Sequence, residues 1–292
     1  MKEFYITKNF SARSLSVIDQ VNVILEEYRA DGYVLTLRQL YYQLVARGFI
    51  ENTIRSYKRI VDIIGNARLA GLVDWYMLTD RNRVTVSPPH WESPAEIVDA
   101  AAKQFAIDKW ERQPVHVEVM VEKDALSGVL GPACHRLDIL FTANKGYNSL
   151  SNMHDAGKRL AKYIQEGKDV VILYFGDHDP SGIDMTRDIT ERLSLFSGYP
   201  VQVDRLALNY DQIDALNPPP NPAKETDSRY QVYLRQFGDT SWELDAIEPR
   251  ALVEMVEQAV SDLLDDDLWE ESVEEENDMR EDLEKFAKGY GK

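Results

Sequence analysis

Apolar positions in the first third of the chain recur at helical spacing. From Ser14 to Ala30, Val17, Val21, Ile24, Leu25 and Tyr28 fall three or four residues apart, and Asp31-Gly32 stops the pattern. Thr36 caps a second predicted helix, LRQLYYQLVARG, which Gly48 ends. Its buried stripe is Leu37, Leu40, Tyr41, Leu44 and Val45, which assigns Tyr41 to the core. Arg38 and Tyr42 lie off the centre of that stripe, four residues apart and spaced to meet. A third helix is predicted from about Asn52 to Leu69 and is broken at Gly71. The stretch LVDWYMLTDRNRVTVS then reads as two strand-like pieces joined at Asp80-Arg81-Asn82, a hairpin signal.

Past Pro88-Pro89 the periodicity changes. Ser93 caps a connecting helix predicted from Pro94 to Trp110, with Pro at its first position, and Gln113-Pro114 closes it. Val115, Val117, Val119 and Val121 then alternate as a strand. Ile139 to Thr142 gives another, Asp155 to Glu166 a helix stopped by Gly167, and Val170 to Phe175 a continuous apolar strand. A helix from Asp184 to Phe196 and a strand from Val201 to Leu208 follow. Strand and helix in turn predict an α/β fold with a doubly wound, mainly parallel sheet. Residues 216–228 form a Pro-rich loop, and a helix is predicted from about Pro249 to Leu264. The expected divisions are an N-terminal unit over residues 1–90, a linker helix over 91–114, the sheet unit over 115–250, and acidic C-terminal helices over 251–292.

Composition narrows the function classes. The chain has 292 residues, 44% hydrophobic and 28% charged, with only strand-length apolar runs and therefore no predicted membrane span. Its start predicts no secretory signal. The single cysteine, Cys134, excludes an internal disulfide and a cysteine-based zinc site, and suits a cytoplasmic location. The net charge of −17 is unevenly spread: residues 1–90 carry 12 Lys+Arg against 9 Asp+Glu, whereas residues 261–292 carry 13 acids against 4 bases. A polyanion partner responds to the charge of the unit it touches, so the N-terminal unit stays eligible for DNA. The acidic end reads as a solvated helix.

Helix, helix, basic helix and hairpin is the order of a winged helix, whose last helix enters a DNA groove. Arg55, Lys58, Arg59 and Arg68 on the third helix, with Arg81 and Arg83 at the hairpin tip, are candidate phosphate contacts. Each alone reads better as an ordinary solvated residue, whereas the whole set on this module favours DNA.

The central strand ends in Gly176-Asp177-His178-Asp179-Pro180. Carboxylates at i and i+2 on extended backbone point the same way. About 6 Å apart at an effective dielectric of about 20, two such charges repel by roughly 3 kcal/mol, so the pair asks for a cation. A plain helix cap before Pro accounts for Asp179 but not for Asp177. His178, whose alternate parity points it away, is a lesser candidate for a phosphate contact. Glu122 ends the Val115–Val121 strand, and functional side chains gather at the carboxyl ends of parallel strands. Glu243 and Asp245 repeat the i, i+2 spacing, either lining the same site or, the reading preferred from sequence, capping the helix after Pro249.

Glu122 in VEKDALSGVL, with Asp177 and Asp179 in FGDHDPSGID, resembles the acidic set of the TOPRIM domain of topoisomerases, primases and some nucleases. Lys145-Gly146-Tyr147 resembles the variety found in the A subunit of topoisomerase VI and its meiotic double-strand-break relatives. There an upstream winged helix carries a tyrosine four residues after an arginine, and LRQLYYQL matches with Arg38 and Tyr42. The resemblance covers roughly residues 14–215. It implies a TOPRIM unit over 115–250, Mg²⁺ (or Mn²⁺) held by Glu122, Asp177 and Asp179, Tyr42 as nucleophile assisted by Arg38, Lys145 as a phosphate contact, and a homodimer cutting double-stranded DNA at two composite sites, each joining the tyrosine of one subunit to the metal of the other. The chain has no Walker-type loop, so strand passage would need a separate ATPase partner.

Two alternatives stay open: a TOPRIM nuclease that uses water without a tyrosyl intermediate, serving defence or a mobile element, and a non-catalytic DNA-binding module.

Overall fold

The computed structural model describes residues 2–79, 88–144 and 149–290. In the N-terminal unit, α1 (Ala12–Ala30) starts at Ser11, whose side chain accepts the Ser14 N–H. β1 (Leu35–Thr36) leads directly into α2 (Leu37–Ala46), where Thr36 and Gln39 cap one another's backbone reciprocally. α3 (Ile54–Leu69) is capped by Thr53. Val21, Ile24, Leu25, Leu35, Leu40, Leu44, Ile60 and Ile64 form the core between the three helices. Ala246, from far along the chain, is buried in that same core.

The first of the two expected hairpin strands is largely replaced. Asp74 caps a 3-10 turn over Trp75–Met77 by accepting the Tyr76 N–H at 2.9 Å. Arg68 donates to the Trp75 carbonyl and, at 2.9 Å, to the Leu78 carbonyl, with its guanidinium 4.9 Å from the Trp75 ring centroid. Among the described residues of this stretch the strand is β2 (Leu78–Thr79), paired in parallel with β1. The hairpin tip, with Arg81 and Arg83, lies outside the described residues.

α4 (Pro94–Gln104) begins as expected on Ser93 and Pro94 but stops short of Trp110. Distant groups take the backbone there: Arg280 donates to the Phe105 carbonyl at 2.9 Å and Glu276 accepts the Ile107 N–H at 3.1 Å. The sheet unit follows as β3 (Val115–Val121), α5 (Ser127–Arg136), β4 (Leu140–Ala143), α6 (Leu150–Gln165), β5 (Asp169–Phe175), α7 (Pro180–Ser197) and β6 (Gln202–Ala207). The strands lie in the order β4-β3-β5-β6, all parallel. β5 reads as a continuous apolar run because both its faces are covered. Val170, Ile172 and Tyr174 pack with Met153, Leu160, Met185 and Leu193 of α6 and α7. Val171, Leu173 and Phe175 face the other way, toward Leu126 and Leu130 and toward Leu252 and Val256 of a later helix.

The remaining elements are α8 (Ile213–Leu216), β7 (Asn221–Pro222), α9 (Tyr230–Phe237), β8 (Thr240–Ser241), α10 (Pro249–Ser261) and α11 (Asp266–Gly289). β7 and β8 pair antiparallel, and α9 is a helix the sequence reading did not anticipate. The acidic end is not merely solvated. Glu276 on α11 is buried between Lys109 and Arg280, at 2.5 Å from each, and Trp269 meets Trp110 edge-on at 6.1 Å. No described helix is long and apolar enough to cross a membrane.

Candidate active-site cleft

The register of the sheet brings the carboxylates together. Val121 pairs with Phe175, so β3 and β5 end side by side, and the Glu122 N–H donates to the Phe175 carbonyl at 2.9 Å. The Asp177 N–H returns a bond to Glu122 Oε2 at 2.8 Å. Asp177 is engaged on both oxygens: Oδ1 accepts the Leu244 N–H at 2.8 Å and Oδ2 lies 2.7 Å from Lys123 Nζ. Asp179 is the N-cap of α7, accepting the Gly182 N–H at 2.7 Å and the Ser181 hydroxyl at 3.0 Å. At Gly182 any Cβ would collide with the Asp177 carbonyl, so only glycine lets the helix start this close to the strand end.

Arg205 on β6 fixes the turn from behind. It donates to the carbonyls of Gly176, Asp177 and Gly182 at 2.9, 2.6 and 3.0 Å. His178 faces away from the carboxylates, into a nest of Tyr210, Tyr233, Phe237 and Trp242. Its Nδ1 is 2.7 Å from the Tyr233 hydroxyl, and burial pushes its pKa down to about 4. A neutral, enclosed imidazole holds the loop and does not reach the cleft.

The opposite wall comes from α2. Arg38 Nη2 lies 3.5 Å from Tyr42 Oη, and the guanidinium carbon is 5.8 Å from the Tyr42 ring centroid. The same guanidinium reaches Glu243 at 2.9 Å and Asp245 at 3.3 Å. Lys123 contacts Glu243 and lies 3.7 Å from Asp245. The preferred sequence reading of Glu243 and Asp245 as caps is therefore wrong. Glu248 occupies the N-cap of α10 without a side-chain capping bond, its carboxylate accepting instead from the Tyr28 hydroxyl at 2.5 Å, while the two earlier carboxylates join the N-terminal unit to the sheet. The 3-10 turn over Leu244–Ala246 holds them there, anchored by Ala246 in the N-terminal core.

Arg38, Tyr42, Asp177, Asp179 and Glu243 open onto one cleft of about 470 Å³. Burial raises the Glu122 carboxyl, and it pushes Asp177 up to about 7 against the opposing pull of Lys123. Burial would also raise Glu243, but Lys123 and Arg38 outweigh it and hold that carboxyl below its ordinary value. Burial would favour a neutral Lys123, yet Asp177, Asp245 and Glu243 keep it charged. Tyr42 is raised by burial and by Glu243, which Arg38 offsets only in part.

Among the described residues, no group of three or more His, Cys, Asp or Glu side chains is drawn up as a ready metal-ligand set. The donor chemistry at the strand ends nevertheless fits a hard divalent cation. Glu122, Asp177 and Asp179 offer oxygens only, the donor type such a cation takes, while in this structure the Asp177 oxygens are held by the Leu244 N–H and the Lys123 ammonium.

The expected DNA contacts separate. Arg55 and Lys58 are exposed on α3, and Lys58 shares a helix face with Ile54, which lines the cleft. Arg59 is half-buried, and Arg68 is turned inward on Trp75 and Leu78. Lys145 lies outside the described residues, as do Arg81 and Arg83. Sequence reasoning missed Lys123, Arg205 and Lys224, the last 3.9 Å from Asp179 at the cleft. Lys123 had a usable signal, a base directly after the strand-end Glu122. No protein-family model matches the chain. No curated protein matches it either.

Proposed function

We propose that this chain cleaves double-stranded DNA by transesterification, with Tyr42 as nucleophile and with Glu122, Asp177 and Asp179 as the ligands of Mg²⁺ or Mn²⁺. The observation that carries the reading is the shared cleft: Tyr42 and Arg38 of α2 open onto the same space as Asp177 and Asp179 of the sheet within one chain, where the resemblance implies a meeting across two subunits. Tyr42 Oη forms a bond to a backbone phosphorus, the bond from phosphorus to the 3′ oxygen breaks, and the phenolic proton is lost as a 3′ hydroxyl is released. The 5′ phosphate remains on the tyrosine. Arg38, 3.5 Å from the hydroxyl, is placed to steady both the phenolate and the charge gathering on phosphate oxygens. A divalent cation at the carboxylates would offset that same charge.

In this reading the three N-terminal helices serve as a winged-helix-like DNA-docking module, and the parallel sheet serves as a TOPRIM-like unit. A homodimer would bring two such clefts to the two strands, and strand passage would call on a separate ATPase. A second reading keeps the carboxylates and replaces Tyr42 by water. It is favoured by one observation, that burial and Glu243 hold the Tyr42 phenol above its ordinary value and so neutral.

Quenching a reaction on duplex DNA in Mg²⁺ or Mn²⁺ with detergent separates the two. Protein-linked ends that vanish with Tyr42→Phe support transesterification, whereas free ends produced equally by Tyr42→Phe support water. Tight DNA binding without cutting in either metal would leave a non-catalytic binding module.

A further inference from the structure

Glu243 lies in a fork between two cations. Arg38 Nη2 stands 2.9 Å from one of its oxygens, and Lys123 Nζ contacts the same carboxylate from the sheet side. A carboxylate brings a single negative charge and oxygens that accept from two donors, and a DNA phosphodiester offers the same. The fork sits beside Tyr42, whose hydroxyl is 3.5 Å from the Arg38 guanidinium.

The two neighbouring acids are not equivalent. The Asp245 side chain is 2% exposed, under Arg38 Nε at 3.3 Å, and is fixed in place. The Glu243 side chain is 24% exposed and lines the cleft. It can turn toward solvent while Asp245 stays behind as counterion to both bases, so neither cation is left buried and unpaired.

Resting on the reading of the cleft as a DNA-cleaving site, we propose that Arg38 and Lys123 form the seat of a DNA phosphodiester and that Glu243 fills this seat as an internal phosphate mimic until DNA displaces it. The device discriminates by size. A free phosphate gains little besides the exchange of one anion for another. A duplex that reaches the fork also meets Lys224 in the cleft wall and the exposed Lys58, one helical turn from the cleft-lining Ile54, and these added contacts drive Glu243 out. An acidic chain would in this way keep small anions from its bases and yield them to a polymer.

The test is the affinity of the full chain for a fluorescein-labelled duplex, read by fluorescence anisotropy in EDTA over a range of salt. Glu243→Gln is expected to bind roughly tenfold tighter than wild type with the log–log salt slope unchanged, because the same phosphate is seated in both complexes and the variant has no carboxylate to displace. Glu254→Gln, an exposed acid on α10, controls for the loss of one negative charge and is expected to change neither quantity. Glu243→Asp guards against a loss of fold: it withdraws the carboxylate by one methylene and is expected to shift affinity in the same direction by less. An affinity for Glu243→Gln matching that of Glu254→Gln would overturn the phosphate seat while leaving the cleavage reading intact. No binding by wild type or any variant would overturn DNA as the substrate and the seat with it.

Discussion

Lys123 Nζ lies 2.7 Å from Asp177 Oδ2, so the strand-end carboxylate most enclosed by the fold is met by the base that directly follows its neighbour Glu122. The side chains are 20% and 8% exposed, which sets this pair apart from a solvent-screened surface bridge. Removing one partner strands the other in a poorly solvated site.

We therefore expect Lys123→Met to lower unfolding free energy by about 2–4 kcal/mol in EDTA. Asp177→Asn in the same chain should restore much of that loss. Urea unfolding of the two single variants and the double variant gives the coupling directly. Additive effects would show that the two charges act independently.

The bases on α3 should divide by role. Arg55→Ala and Lys58→Ala, at exposed positions, are expected to weaken duplex binding and flatten its salt slope by about 0.9 for each phosphate lost, with stability changed by less than about 0.5 kcal/mol. Arg68→Ala should instead cost roughly 2 kcal/mol of stability, because it donates to the Trp75 and Leu78 carbonyls. The reverse pattern, with stability lost at 55 and 58 and only binding lost at 68, would contradict this division.

Such a division was not legible in the sequence, where all four bases of the helix looked alike. Period and caps were legible. Val115–Val121 is the strand that alternation predicts, and Thr36 caps α2 as its position implies, because those signals are local. The early end of α4 was hidden, since the groups that take its next backbone atoms, Glu276 and Arg280, are some 170 residues away. The same holds for Glu243 and Asp245: their spacing marked them as a pair, but only the docking of Ala246 in the N-terminal core decides that they meet Arg38 rather than cap α10. Arg205 gave no signal, sitting in an ordinary alternating strand while its guanidinium collects three distant carbonyls.

Glu118, in the middle of β3, supplies a pH dependence away from the cleft. Burial by itself would raise its carboxyl, but Arg159, at 2.8 Å to each oxygen, and His116, at 3.0 Å, hold it below the usual carboxylate value. A depressed folded pKa means that the contribution is complete above the unfolded value of about 4.3 and is lost as pH falls through the folded one. Glu118→Gln should cost about 2–4 kcal/mol near neutrality. Its deficit relative to wild type should narrow below about pH 4.3 in urea titrations run at several pH values. A deficit that stays constant into acid would count against the account.

The docking of the acidic helix is equally specific. Glu276 accepts from Lys109, from Arg280 and from the Ile107 N–H. Glu276→Ala should cost about 2 kcal/mol and speed amide exchange along α11 and residues 105–110. Unchanged exchange in both segments would mean that other contacts hold this helix.

The central claim is that Tyr42 carries the broken strand, and it can be read from one residue. Wild-type chain would be incubated with duplex DNA and Mn²⁺, denatured in detergent, digested with nuclease and protease, and sequenced by mass spectrometry. We expect a nucleotide joined through phosphate to the Tyr42 side chain, absent when Glu122, Asp177 and Asp179 are all Ala. Cleaved DNA with Tyr42 unmodified, or a nucleotide on another residue, would contradict it.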